Sequence, residues 1–120
     1  MKPITKAEVL EFCRTRYLKL LSDYGFDLNN GTAQLKIGDA DRALAYGKMH
    51  CLRDVAIDGG LYWMNTRFSL KAVANYASAY TSQVTIRHPH PVDGNNIDGL
   101  VFHGRAQAYQ EIVQYMRKEI

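Results

Sequence analysis

The sequence predicts an α+β domain in which three or four helices pack on a small antiparallel sheet. Two observations lead to this class: apolar residues recur at three- and four-residue intervals in several segments, whereas residues 84–88 alternate between apolar and polar side chains. The chain length bears on the number of domains, because chains divide into separate cores only well above 120 residues. We therefore predict that residues 1–120 form a single compact domain.

The first helix is predicted to begin after Thr5. Thr5 and Glu8 have the spacing of a capping box, in which a hydroxyl and a carboxylate satisfy amide donors left open at a helix start. The apolar stripe that follows stops at Gly25, since glycine favours the left-handed backbone that ends many helices. That stripe comprises Val9, Leu10, Cys13, Tyr17, Leu20, Leu21 and Tyr24.

A second helix is predicted after Asp39, whose side chain is a good helix cap. Its apolar stripe runs to the sequence Asp58-Gly59-Gly60 and contains Gly47. Glycine inside a helix costs about 1 kcal/mol relative to alanine. The position therefore predicts that another element approaches the helix closely at Gly47.

Ser69 is predicted to cap a third helix that extends to about Thr81, with an alanine-rich apolar side. The segment before it, residues 60–68, is aromatic and favours an extended conformation. A last helix is predicted from Ala106 to Ile120 on the spacing of its apolar residues.

The predicted sheet consists of two strands, residues 84–88 and 99–103. The first alternates as a strand should, and the second is a short apolar run. A polar loop containing Pro89, Pro91 and Gly94 separates them. We therefore expect an antiparallel pair in which the loop itself is not paired.

Charge and hydropathy exclude several classes of protein. The net charge of +3 is far from the strong basicity of dedicated nucleic-acid binders. No apolar run approaches the roughly twenty residues that cross a bilayer, and residues 1–8 have no apolar signal-peptide region. Cys13 and Cys51 both lie in predicted amphipathic helices, which favours buried, reduced thiols. We expect a cytoplasmic protein with no membrane partner.

The most distinctive stretch is residues 59–91, which contain no Asp or Glu. Aromatic and cationic side chains alternate within it, a pattern suited to protein interfaces or to stacking bases and holding phosphates. The simpler interpretation is that about half of the rings fill the core. The predicted binding residues are Tyr62, Trp63, Arg67, Lys71, Tyr76 and Arg87.

From this stretch we predict a small non-enzymatic binding protein that regulates or inhibits another macromolecule and carries no cofactor. A protein partner is favoured over nucleic acid because the net charge is small. Nucleic acid and a second copy of the chain remain alternatives.

A second candidate site is the cluster of His88, His90 and His103, with Asn95 between the last two. On the predicted order of strand, loop, strand and helix, this segment resembles the ββα-metal element of His-Asn-His nucleases. The resemblance covers about a sixth of the chain and implies a divalent-metal nuclease or phosphodiesterase as the alternative function.

In that alternative, His88 or His90 is the base that activates water, Asn95 or Asn96 orients the water, and His88 and His103 bind the cation. The cation would stabilise the leaving oxygen of a phosphate. The sequence departs from the family's pattern in two places, since Pro89 separates the first two histidines and Gln107 and Gln110 stand where a further ligand is expected.

Overall fold

The computed structural model describes residues 4–57, 69–89 and 96–118. These residues form a bundle of four α-helices with one short 3₁₀ helix, Gly31–Gln34, after the first of them. The α-helices are α1 (Lys6–Tyr24), α2 (Ala40–Ile57), α3 (Leu70–Arg87) and α4 (Ile97–Lys118).

The predicted antiparallel sheet, and with it the α+β class, is wrong. Residues 84–87 form the last turn of α3, residues 99–103 lie in the first turns of α4, and no strand occurs among the described residues. Val84 is 4% exposed whereas Ile86 is 76% exposed. In a strand, side chains two residues apart lie on the same face and should be similarly exposed. The difference in exposure between Val84 and Ile86 is therefore that of a helix. Val84 continues the buried side of α3 formed by Val73 and Ala77.

The second predicted strand became helical because a cap precedes it. The Asn96 side-chain oxygen accepts a hydrogen bond from the backbone N–H of Gly99 at 2.9 Å, which satisfies a donor in the first turn of α4. Leu100 and His103, three residues apart, are both buried, while Phe102 is partly exposed. The short apolar run is therefore the start of the helix predicted to begin at Ala106.

The predicted boundaries of α1 are confirmed. The Thr5 hydroxyl accepts a hydrogen bond from the backbone N–H of Glu8 at 3.2 Å and donates one to the Glu8 carboxylate at 3.0 Å. Gly25 ends the helix with φ of 63°, a left-handed conformation that glycine adopts without strain. The caps predicted for α2 and α3 are present as well, from Asp39 and Ser69.

The close approach predicted at Gly47 is also confirmed. A Cβ atom at Gly47 would overlap the Val101 carbonyl oxygen and lie 2.9 Å from its carbon. On the other helix, a Cβ at Gly104 would overlap the Leu44 carbonyl oxygen in the same way. The backbones of α2 and α4 therefore touch where the two helices cross.

Helix α4 occupies the centre of the bundle, because α2 and α3 both pack against it while α1 packs mainly against α2. Helices α3 and α4 run antiparallel. Thr81 in α3 contacts Gln110 in α4, whereas His88, just after the end of α3, contacts His103 near the start of α4. The main core lies among all four helices, and a second cluster around Tyr46 and Met49 lies under the loop after α1. None of the described helices has the length and apolarity to span a bilayer.

Candidate functional site

The described members of the predicted aromatic and basic surface are not brought together. Lys71 and Arg87 are exposed at opposite ends of α3, about 24 Å apart at about 1.5 Å per residue. The Tyr76 ring packs edge-on against Tyr109 with centroids 5.2 Å apart, so it adjoins the core. Tyr62, Trp63 and Arg67 lie outside the described residues.

His88 and His103 are in contact, but a ring nitrogen of one meets the main-chain carbonyl of the other, whereas a shared metal ion would need ring nitrogens from both. The His103 Nε2 lies 2.7 Å from the backbone carbonyl oxygen of His88. A carbonyl only accepts, so Nε2 carries the hydrogen and donates it. The His88 ring instead stacks on Phe102, with centroids 5.1 Å apart. His90 and Asn95 lie outside the described residues.

The strand and loop framework that the nuclease resemblance requires is therefore replaced by the ends of two helices. Within the part of the chain that the structure describes, no three His, Cys, Asp or Glu side chains are grouped so as to hold a metal ion. The contact between His88 and His103 closes the α3–α4 pair instead.

A groove of about 390 Å³ runs along α4 and is open to solvent. We call it the α4 groove. Helix α3 lines it with two threonines, α2 with one lysine, and α4 with the remaining residues. Its lining consists of Lys48, Thr81, Thr85, His103, Ala106, Gln107, Gln110, Glu111 and Gln114.

The sequence places hydrogen-bonding groups along this groove at helical spacing. His103, Gln107, Gln110 and Gln114 are three or four residues apart, so they share one face of α4. Ala106 lies between them, and its small side chain leaves room in the groove. The result is a stripe of neutral side-chain amides facing the threonines of α3.

Hydrogen bonds fix the α3 side of the groove. The Thr85 hydroxyl donates to the Thr81 carbonyl oxygen at 2.9 Å, and the Thr81 hydroxyl donates to the Ala77 carbonyl oxygen at 2.8 Å. The Gln110 amide donates to the Thr81 hydroxyl at 3.1 Å. Both hydroxyl protons are thus directed at main-chain oxygens, and Gln110 is held in place between α3 and α4.

Glu111 links three helices at the other end of the groove. Its Oε1 accepts hydrogen bonds from Arg16 of α1 at 3.1 Å and from Lys48 of α2 at 3.3 Å. Its Oε2 is buried and has no donor among the described residues. Two cations therefore neutralise one carboxylate, which leaves this end positively charged.

A smaller cavity of about 190 Å³ adjoins the groove, since Glu111 and Gln114 line both. Here the Phe12 and Tyr115 rings stack with centroids 4.2 Å apart. The Arg16 guanidinium lies 5.7 Å from the centre of the Phe12 ring. Lys118 also lines this cavity. We call it the α1 end of the groove.

The two cysteines lie elsewhere, in the main core, and both are free thiols. Burial raises the pKa of Cys13 to about 12 and that of Cys51 to about 12. A thiol with such a pKa is almost entirely protonated at neutral pH, and the thiolate is the nucleophile. Neither cysteine is therefore suited to nucleophilic chemistry.

The sequence contained a signal for the α4 groove that charge patterning does not reveal. Gln107, Gln110 and Gln114 stand at positions i, i+3 and i+7 of a predicted helix, and the nuclease resemblance involves the first two only as residues that replace an expected metal ligand. Neutral residues on one face are ordinarily taken as solvated. Their significance depends on Thr81 and Thr85 lying opposite, which requires the α3–α4 pairing.

The comparisons with known proteins add no identification. No protein-family model matches the chain, and neither the curated proteins nor the solved structures contain a significant match.

Proposed function

We propose that this chain is a non-enzymatic binding protein whose α4 groove holds an extended segment of another protein. The observation that supports it is the stripe of neutral amides along α4, facing the hydroxyls of Thr81 and Thr85 across an open groove. The proposal keeps the protein partner inferred from the sequence and moves the contact surface from the rings of residues 59–91 to the groove that α3 borders.

The chemistry of the stripe suits a polypeptide backbone. Each residue of a peptide presents one N–H donor and one carbonyl acceptor. A glutamine side chain carries both a donor and an acceptor, so Gln107 and Gln114 are able to pair with a backbone whatever its side chains. Such contacts give affinity without demanding one sequence, as in other complexes of extended peptides.

The length of the groove suits a short segment. His103 and Gln114 are eleven residues apart, which is about 16 Å along a helix. An extended chain rises about 3.3 Å per residue, so about five residues match the stripe.

The lining residues favour peptide binding over the alternatives. The amide stripe itself contains no exposed aromatic ring on which a nucleobase would stack, because His103 is buried, and the Phe12 and Tyr115 rings lie only at the α1 end.

The proposal is tested by selecting peptides from a random heptapeptide phage library with the full chain as bait. Selected peptides are then titrated into ¹⁵N-labelled protein, where the side-chain NH₂ signals of Gln107, Gln110 and Gln114 report directly on the groove. We expect these signals to shift and the affinity to fall about tenfold in the double variant Gln107→Ala/Gln114→Ala.

The matched control is Gln83→Ala, which removes an exposed glutamine of α3 that does not line the groove. It should leave the affinity unchanged. Failure to enrich any peptide, or equal binding to the groove variant and wild type, would refute the proposal. Displacement of the peptide by single-stranded DNA, with affinity falling steeply as salt rises, would assign the groove to nucleic acid instead.

A further inference from the structure

The α1 end of the groove differs chemically from the amide stripe, and this difference bears on which segments bind. We infer that the bound segment is acidic, with an Asp or Glu side chain seated at the α1 end beside Arg16 and Lys118. The inference rests on the proposed function, since it names the chemistry of the partner at the same groove.

The charge of this end supports an acidic occupant. Lys48, Arg16 and Lys118 line the two adjoining cavities, and Glu111 supplies the one carboxylate among the described residues that line them. Glu111 is held by two of these cations through one oxygen, so its own charge is compensated. An added carboxylate would meet net positive charge, whereas an added cation would be repelled.

Arg16 retains the capacity to bind a second carboxylate. A guanidinium has five N–H donors, and the bond to Glu111 engages Nη2. The Arg16 side chain is 45% exposed, so its other donors are open to a partner. Lys118 is exposed on the last turn of α4.

The stacked rings of Phe12 and Tyr115 define the rest of this end. They present a flat, partly buried aromatic surface directly beside the cations. An apolar side chain next to the acid would cover this surface and exclude water from the ion pair, which strengthens the pair. The segment expected is therefore extended and uncharged along the stripe, with an acidic and an apolar residue adjacent at one end.

The test uses the same heptapeptide library with three baits: wild type, Arg16→Gln/Lys118→Gln, and the control Lys19→Gln/Lys36→Gln. The control removes two exposed cations that line neither cavity. We expect Asp and Glu to be enriched in peptides from wild type and from the control. With Arg16→Gln/Lys118→Gln their frequency should fall to that of the input library.

A double-mutant cycle then isolates the contact. An enriched acidic peptide should bind the Arg16→Gln/Lys118→Gln variant about three- to tenfold more weakly than wild type, as expected for two exposed ion pairs. The same peptide with Gln in place of its acid should bind both proteins equally.

The outcomes separate this inference from the proposed function. Peptides that bind in the groove without enrichment of Asp or Glu would overturn the inference and leave the proposed function intact. An equal loss of affinity for the acidic and the Gln-substituted peptide would also overturn it, because the two cations would then act on folding and not on the carboxylate. Failure to select any peptide refutes the proposed function itself.

Discussion

Gly47 and Gly104 occupy equivalent positions on the two sides of the crossing between α2 and α4. A Cβ on Gly47 would lie 2.9 Å from the Val101 carbonyl carbon, and a Cβ on Gly104 would lie 2.9 Å from the Leu44 carbonyl carbon. Each glycine thus accommodates the backbone of the opposite helix. The obstruction is main chain on both sides, so no side-chain rotation relieves it.

We expect Gly47→Ala and Gly104→Ala each to lower the free energy of unfolding by about 2 kcal/mol. Overpacking typically costs about 1 to 3 kcal/mol, and a clash with main chain belongs at the upper end of that range, from which the better helix propensity of alanine recovers about 1 kcal/mol. Urea unfolding followed by circular dichroism measures the change. Asn75→Ala, on the exposed side of α3, should stay within about 0.5 kcal/mol of wild type. Stable alanine variants at both glycines would contradict the close crossing.

The two described histidines of the α3–α4 pair should respond differently to substitution. His103→Ala removes the donor to the His88 carbonyl oxygen and leaves a cavity, so we expect a loss of about 1 to 3 kcal/mol in the free energy of unfolding. His88→Ala keeps that acceptor, because the carbonyl belongs to the backbone, and should cost less than 1 kcal/mol. Equal losses would show that the rings, and not the carbonyl, hold the helices together.

The same pair of variants tests the nuclease alternative. We expect no cleavage of plasmid DNA by the wild-type chain with Mg²⁺, Mn²⁺ or Zn²⁺, because the described histidine contacts are structural. Cleavage that EDTA abolishes, and that both His88→Ala and His103→Ala lose, would instead restore the metal site inferred from the sequence.

The two thiols should resist modification in the native protein. Cys13 and Cys51 are fully buried, and a protonated thiol reacts slowly. With Ellman's reagent at pH 8 we expect the coloured thiolate of the reagent to be released slowly. Urea should increase the rate of release as the protein unfolds. Rapid reaction of either thiol in the absence of urea would show that the core is accessible.

Stability should fall as the pH rises above about 9. Burial raises the pKa of Cys13 from 9.0 to about 12, so the unfolded chain ionises first. The contribution is therefore fully present below pH 9 and is lost progressively towards pH 12. Urea titrations between pH 8 and pH 10.5 should show a decline of about 2 kcal/mol for each buried thiol. Cys13→Ala should reduce the slope with pH, whatever it does to the stability at pH 8.

Local signals predicted the starts of α1, α2 and α3 and the end of α1, but α3 runs six residues past the predicted Thr81 and α4 begins nine residues before the predicted Ala106. Thr5, Asp39 and Ser69 each cap the helix that the sequence predicts them to cap, and Gly25 ends α1. Each of these interactions spans only a few residues, so the sequence contains both partners. Gly47 was equally informative, because a costly residue inside a helix has to be compensated by contact with another element.

The predicted sheet failed because short segments fit two periodicities. Val84, Thr85 and Ile86 are β-branched residues that favour strands, yet Val84 is buried and continues the side of α3 already begun by Val73. Packing of a whole helix outweighed the preference of three residues. The α4 groove could not be predicted from the sequence for a related reason, because Thr81 and Gln110 come into contact only when α3 and α4 are paired.

The central position of α4 gives the bundle an unequal resistance to local opening. Amide hydrogens in α4 around Ala108 and Ile112 are covered by partners on several sides, so their exchange with solvent deuterium requires global unfolding. Helix α1 packs mainly against α2 and little against α4, so we expect its amides to exchange in smaller openings than those of α4. Because Arg16 belongs to α1, any occupant that binds Arg16 would stabilise α1 against local opening, and the amides of α1 would then exchange more slowly.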